Sequence, residues 1–265
     1  MPRLFPWSIV YVVAFFAQLH LLVPGCPVLA RFDVIVFDVW GTLLRLEPMW
    51  GFIAEGLASV LNKPVNATRA AIERVRGVVK NRVGFIAEDH VSYSVRLLAE
   101  ELGSSPSIVR RGIARGVLGA LGHVNELVYD DAMRGLEEAR RLARFVGVVG
   151  NALLWPSSYT RLLLEKSKLS YYIDAQVYGD EASCYKPSPC IWARLFEELG
   201  LSSPSCVHIG DSVREDIGGA IATGCKAVLI KRVASKDIES SGLIGLTIIR
   251  SLNILSKVLI PETNT

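Results

Sequence analysis

The sequence predicts an α/β fold, a parallel sheet covered by helices on both faces, with a helical cap inserted after the first strand. Two observations carry this expectation. Short apolar runs stopping at Asp or Gly alternate with helical stripes after residue 131, and no such run occurs between residues 47 and 130. Alternating strands and helices build parallel sheets buried on both faces, whose strands read as continuous apolar runs.

The first strand is predicted at Phe32–Phe37 (FDVIVF), a β-branched run that stops at Asp38 and then Gly41. Helical stretches follow at Met49–Leu61, Asn66–Arg82, His90–Leu102 and Pro106–Leu121, separated by Lys63-Pro64, Gly84 and Gly103-Ser104-Ser105. Asp131 is expected to cap a helix whose stripe is Met133, Leu136, Ala139 and Leu142. A second buried strand, Phe145–Val149, ends at Gly150-Asn151. A helix at 158–166, a strand at 175–178, a helix at 188–199 and strands at 206–209 and 227–230 continue the series. The division expected is a core of residues 31–46 and 131–265 with a cap of residues 47–130. In open α/β sheets ligands sit beyond the carboxyl ends of the strands, the edge that an insertion after the first strand would overhang.

At 265 residues the chain is long enough to bury a large core, and 51% hydrophobic against 21% charged residues excludes disorder and long coiled coils. Lys+Arg 29 against Asp+Glu 26 leaves a net charge of +3, too mild to indicate nucleic acid. Five cysteines form no CxxC pair, so no zinc site or disulfide framework is expected and the thiols are read as reduced. Residues 1–30 stand apart: Leu4–Ala30 holds no Asp, Glu, Lys or Arg. As a helix, Trp7–Val23 would span roughly 25 Å, short of the ~30 Å hydrocarbon core. A start-site artefact, a signal or anchor, and a packed helix all remain open for it. The expected location is cytoplasmic, with anchoring in a membrane or export through residues 5–29 as the alternative; membrane contact is expected only if those residues are real and retained. The oligomeric state is not indicated.

Chemistry-bearing residues gather at the predicted strand ends. Asp38-Val39-Trp40-Gly41-Thr42 puts a carboxylate after the first strand, followed by a turn in which Gly lets backbone approach a ligand. Gly210-Asp211-Ser212 repeats the pattern and adds Glu215 and Asp216. Between them lies Cys184-Tyr185-Lys186-Pro187, with Lys186 expected to open a helix. A carboxylate nucleophile, a lysine that neutralises charge and an acidic pair suited to a hard cation form a coherent set.

In this order and spacing the motifs resemble those of the haloacid dehalogenase superfamily of hydrolases, over roughly residues 31–259. The resemblance implies a Rossmann-like three-layer core, an aspartate nucleophile and a small anionic, most often phosphorylated, substrate. It makes Asp38 the nucleophile, Thr42 a support of the first loop, Lys186 the charge-neutralising lysine and Gly150-Asn151 the second motif. Asp38, the carbonyl of Trp40, and Asp211, with Asp216 direct or through water, become the expected Mg²⁺ ligands, and Trp40, Gly41 and Gly150 the expected substrate contacts.

Two departures matter. Family phosphatases carry a general acid and base two residues after the nucleophile, where this chain has Trp40, and an indole cannot shuttle protons. A hydroxyl residue usually precedes Asn151, where this chain has Gly150. Family dehalogenases place an aromatic at the position of Trp40 and use no metal, yet Gly210-Asp211 keeps the metal-binding form. Mg²⁺-dependent hydrolysis of a phosphorylated substrate is therefore favoured, with metal-free 2-haloacid dehalogenation and a catalytically degenerate binding protein as alternatives. Glu215 is read as a solvated helix residue. The basic residues Arg69, Arg74, Arg76, Lys80 and Arg82 are read as a solvated face, with collection of an anionic substrate the alternative.

Overall fold

The computed structural model describes residues 30–81, 89–233, 238–241 and 246–260. The expectations for the amino-terminal segment, Arg82 and Gly84 lie outside the described residues. Among the described residues no helix is long and apolar enough to cross a membrane.

The strands are β1 Phe32–Phe37, β2 Ala143–Gly150, β3 Ala175–Tyr178, β4 Cys206–Gly210, β5 Lys226–Ile230, β6 Ile238–Ser241 and β7 Leu246–Ile249. They form one sheet in the order β3-β2-β1-β4-β5-β7-β6, parallel throughout except for β6, which runs antiparallel to β7. β1 lies inside the sheet between β2 and β4, and its alternation serves both faces: Ile35 and Phe37 join one core cluster, Val34 and Val36 the other. Parallel pairing brings Phe37 level with Val148 of β2 and Ile209 of β4, so the loops that follow all three strands open on one edge.

Between β1 and β2 the elements among the described residues are helices, α1 Leu46–Leu61, α2 Val65–Lys80, α3 His90–Leu102, α4 Pro106–Gly122, α5 Val124–Leu127 and α6 Ala132–Leu142, with isolated β-bridges from Trp40 to Leu44 and from Leu44 to Val128. Local chemistry sets several ends. Asp89 accepts from the amides of Val91 and Ser92 at the start of α3, and Gly103 takes a left-handed conformation (φ 61°) at its end. Ser105 caps α4 ahead of Pro106, which needs no donor there. α1 and α4 cross at glycines, where a Cβ on Gly56 would strike the backbone of Gly112 and Gly116. The Thr68 hydroxyl in α2 donates to the Ala54 carbonyl in α1 at 2.8 Å.

Several expectations are corrected. α1 begins at Leu46, three residues before the predicted start. Lys186 does not open a helix: it sits in a turn with a cis bond to Pro187, and the helix that follows spans Cys190–Glu198. Asp131 precedes α6 but makes no side-chain cap. Its carboxylate instead accepts from Arg232, the Ser251 hydroxyl and the Leu252 amide, stronger partners drawn from the far end of the chain. Four cysteines are paired, Cys184 with Cys190 and Cys206 with Cys225, against the expectation of reduced thiols. The second pair follows from the sheet, because β4 and β5 are neighbours and bring the two Cα atoms to 4.8 Å.

Candidate active site

The site lies at the carboxyl edge of β1, β2 and β4. The Asp38 amide donates to the Ile209 carbonyl at 2.9 Å, fixing the first residue after β1 against the end of β4. Lys186 is buried and donates from Nζ to Asp38 Oδ1 at 2.5 Å and to Asp216 Oδ1 at 2.7 Å. Asp38, Lys186 and Asp216 thus converge although 148 and 30 residues separate the lysine from the two acids. Asp38, Asp211 and Asp216 each offer an oxygen, all within 4.8 Å of one another. Asp38 Oδ2 is buried without a hydrogen-bond partner.

Gly41 explains how the first loop makes room. It adopts φ 94°, and a Cβ there would collide with the Asp211 carboxylate. Thr42 is fully buried; its hydroxyl has no partner, its amide donates to the Val39 carbonyl within the turn at 3.3 Å, and its carbonyl accepts from Arg232 at 2.6 Å. Gly150 ends β2 where a Cβ would meet the Tyr178 ring. Asn151 holds the lysine loop at two points: Oδ1 accepts from the Lys186 amide at 2.8 Å and Nδ2 donates to the Lys186 carbonyl at 3.1 Å. Nδ2 also donates to Glu215 at 3.1 Å. Glu215, read as solvated, is therefore half-buried at the site.

The electrostatics are those of an acidic cluster short of positive charge. Burial pushes the Asp38 carboxyl well above the usual range; Lys186 draws it down, while Asp216 and Asp211 raise it further. Asp211, exposed on its outer side, is raised to about 6, first by loss of solvent around the carboxylate and then by the Asp216 charge. Burial works against the Lys186 ammonium, but the Asp216 and Asp38 carboxylates outweigh it and hold the lysine charged. Burial also works against ionisation of Asp216, yet Lys186 and His208 keep its carboxyl low.

His208 was not singled out by its sequence context. In β4 its Nδ1 accepts from Trp192 Nε1 at 3.3 Å, which leaves the proton on Nε2 to donate to Asp216 Oδ1 at 3.0 Å. Both oxygens of Asp216 are engaged, since Oδ2 accepts from the Ser212 amide at 2.9 Å. Three carboxylates facing one lysine, with a buried unpartnered oxygen on Asp38, suit a hard cation that prefers oxygen ligands.

A cavity of about 220 Å³ opens over these groups. Its floor includes Asp38, Asn151, Asp211 and Glu215; its walls include Trp40, Trp50 and Trp155. α2 contributes Arg76 and Lys80, so part of the face read as solvated turns toward the site. Arg69 and Arg74 keep to the surface acids Glu73 and Glu101.

A mostly parallel Rossmann-like sheet carries strand-end carboxylates around a buried lysine. The chain belongs to the haloacid dehalogenase-like hydrolases, whose family model matches residues 32–224. Phosphatase MT3486 of Mycobacterium tuberculosis (strain CDC 1551 / Oshkosh) is 33% identical over 122 residues, 44% of this chain and 55% of that protein. (S)-2-haloacid dehalogenase 4A of Burkholderia cepacia is 28% identical over 123 residues, 46% of this chain and 51% of that protein. The chain thus spans about half the length of these curated relatives. A crystal structure of a HAD phosphatase from Thermococcus onnurineus superposes with a TM-score of 0.61 at 25% identity, over 86% of this chain and 97% of that one.

Proposed function

We propose that this chain is a Mg²⁺-dependent phosphatase of small phosphorylated substrates, with Asp38 as the nucleophile. The observation that carries the reading is the buried Asp38: one oxygen is held by Lys186, the other is unpartnered, and the carboxylate stands in a cluster with Asp211 and Asp216. The relatives named as phosphatases support it. Residues 31–46 and 131–265 form the core that supplies the acids and Lys186, and residues 47–130 form the cap that supplies Trp50, Arg76 and Lys80.

An Asp38 carboxylate oxygen attacks phosphorus, and the bond from phosphorus to the leaving group breaks with its electron pair going to the leaving group. Water then attacks the aspartyl-phosphate, the bond to Asp38 breaks, the carboxylate is restored and the water proton passes to solvent. Splitting one displacement into two in this way lowers each barrier. Lys186 offsets negative charge on Asp38, and Asn151 fixes the lysine by gripping its backbone on both sides. Asp38 and Asp211, with Asp216 direct or through water and the Trp40 carbonyl as a further ligand, would hold Mg²⁺, which would supply charge neutralisation for the phosphoryl oxygens. Trp40 provides no proton, so the favoured leaving groups depart as anions: carboxylates, activated phenolates or halide.

Trp40 also supports a second reading, metal-free dehalogenation. The full chain should release phosphate from acetyl phosphate and 4-nitrophenyl phosphate with Mg²⁺ and lose this activity with EDTA or as Asp38→Asn. Chloride release from 2-chloropropionate in EDTA, without phosphate release in Mg²⁺, would replace the phosphatase reading with the dehalogenase one.

A further inference from the structure

The aromatic part of the cavity lining is drawn from three separate segments of the chain. Trp40 follows β1, Trp155 follows β2, and Trp50 lies in α1. Trp155 stands between the other two, edge-on to Trp40 (ring centroids 5.3 Å, 79°) and tilted against Trp50 (5.0 Å, 62°). Its indole N–H donates to the Thr160 hydroxyl at 3.2 Å, which fixes the ring. All three line the same cavity as Asp38 and Asp211.

Two polar atoms of the cavity lining, one of them on Trp50 itself, lack a partner. Trp50 Nε1 and the Ser94 hydroxyl are buried with no hydrogen-bond partner, and Ser94 is only 1% exposed. Buried polar atoms in native proteins are nearly always satisfied, and exceptions ask for an explanation such as a missing partner. The volume of about 220 Å³ exceeds the roughly 150 Å³ of an apolar cavity that takes benzene. Rings of this kind prefer offset or edge-to-face contact with another ring.

We propose that Trp40, Trp50 and Trp155 form a leaving-group subsite for a flat aromatic body, so that the substrate class is an aryl or aroyl phosphate. This rests on the phosphatase reading and deepens it, because phenolates and aromatic carboxylates also depart without a proton from Trp40. The phosphoryl group lies over the acids and the ring lies along the tryptophan wall.

The test separates binding from turnover. Calorimetric titration of the full chain in Mg²⁺ with phenylphosphonate and methylphosphonate compares two inert phosphoryl groups that differ by the ring. Phenylphosphonate should bind roughly tenfold or more tightly, as expected for burying a ring. Trp155→Leu and, separately, Trp50→Leu should each bring the two ligands to within about threefold, and the second variant keeps the test decisive if the first fails to fold. Equal binding of the two phosphonates, no binding of either, or an aromatic preference that survives in a folded variant would overturn the subsite. Phosphate release from benzoyl and acetyl phosphate, whose leaving groups are of similar acidity, distinguishes the two readings. Aromatic preference in binding with no hydrolysis of either would sink the phosphatase reading and with it the leaving-group role, leaving only a site for an aromatic ring; hydrolysis of both without aromatic preference in binding would sink the subsite alone.

Discussion

Trp40 and Asn151 show how differently single residues disclose their work. Trp40 was legible from the sequence because its chemistry is negative: two residues after Asp38, an indole has no proton to exchange. General acid or base assistance is typically worth about 10²–10⁴ in rate. Trp40→Asp should therefore raise kcat for a simple alkyl phosphate by up to ~10², while kcat for acetyl phosphate changes little. A steady-state comparison of the two substrates checks this, and an equal effect on both would contradict the account of the leaving group. Asn151 was picked out by its place after β2, yet its task was not legible. Only the fold shows that its amide grips both the N–H and the C=O of Lys186, 35 residues further on, and that Glu215 completes the contact.

At the scale of elements, what could be read was what burial writes locally. FDVIVF declares β1 because a central parallel strand is covered on both faces and tolerates almost nothing polar. β6 and β7 escaped: each has four residues, and at the sheet margin neither needs a continuous apolar run. The crossing of α1 and α4 was also invisible, since Gly56, Gly112 and Gly116 read as helix weaknesses until two backbones are seen in contact there. Glycine's helical penalty is about 1 kcal/mol relative to alanine. Gly77 in α2 has open space around its Cβ position, so Gly77→Ala should stabilise the chain by up to ~1 kcal/mol. Gly56→Ala meets backbone that cannot give way and should destabilise by about 1–3 kcal/mol despite the same propensity gain. Urea unfolding of the pair measures the contrast, and a stabilised Gly56→Ala would mean that the helices do not cross this closely.

For the molecule as a whole, Asp131 is a long-range clasp. It joins the start of α6 to Arg232 after β5 and to Ser251 and Leu252 after β7. Burial opposes its ionisation, but hydrogen bonds from Arg232, Ser251 and Leu252 prevail and hold the folded carboxyl below its usual value. The folded state then binds fewer protons than the unfolded one, so this contribution is fully present above the unfolded pKa of about 3.9 and is lost as pH falls through the folded value. Asp131→Asn should accordingly be less stable than the parent near pH 7, with the gap closing below about pH 4. Denaturant midpoints measured across that range test it, and a gap independent of pH would assign the clasp to shape alone. The tryptophan wall gives this molecule one more property. Of its five tryptophans, three border the candidate substrate cavity, while Trp192 is sealed in the core beside His208. Most of the described indoles therefore stand where a bound molecule would alter their surroundings, so the protein carries its own fluorescent reporter of occupancy and needs no attached dye.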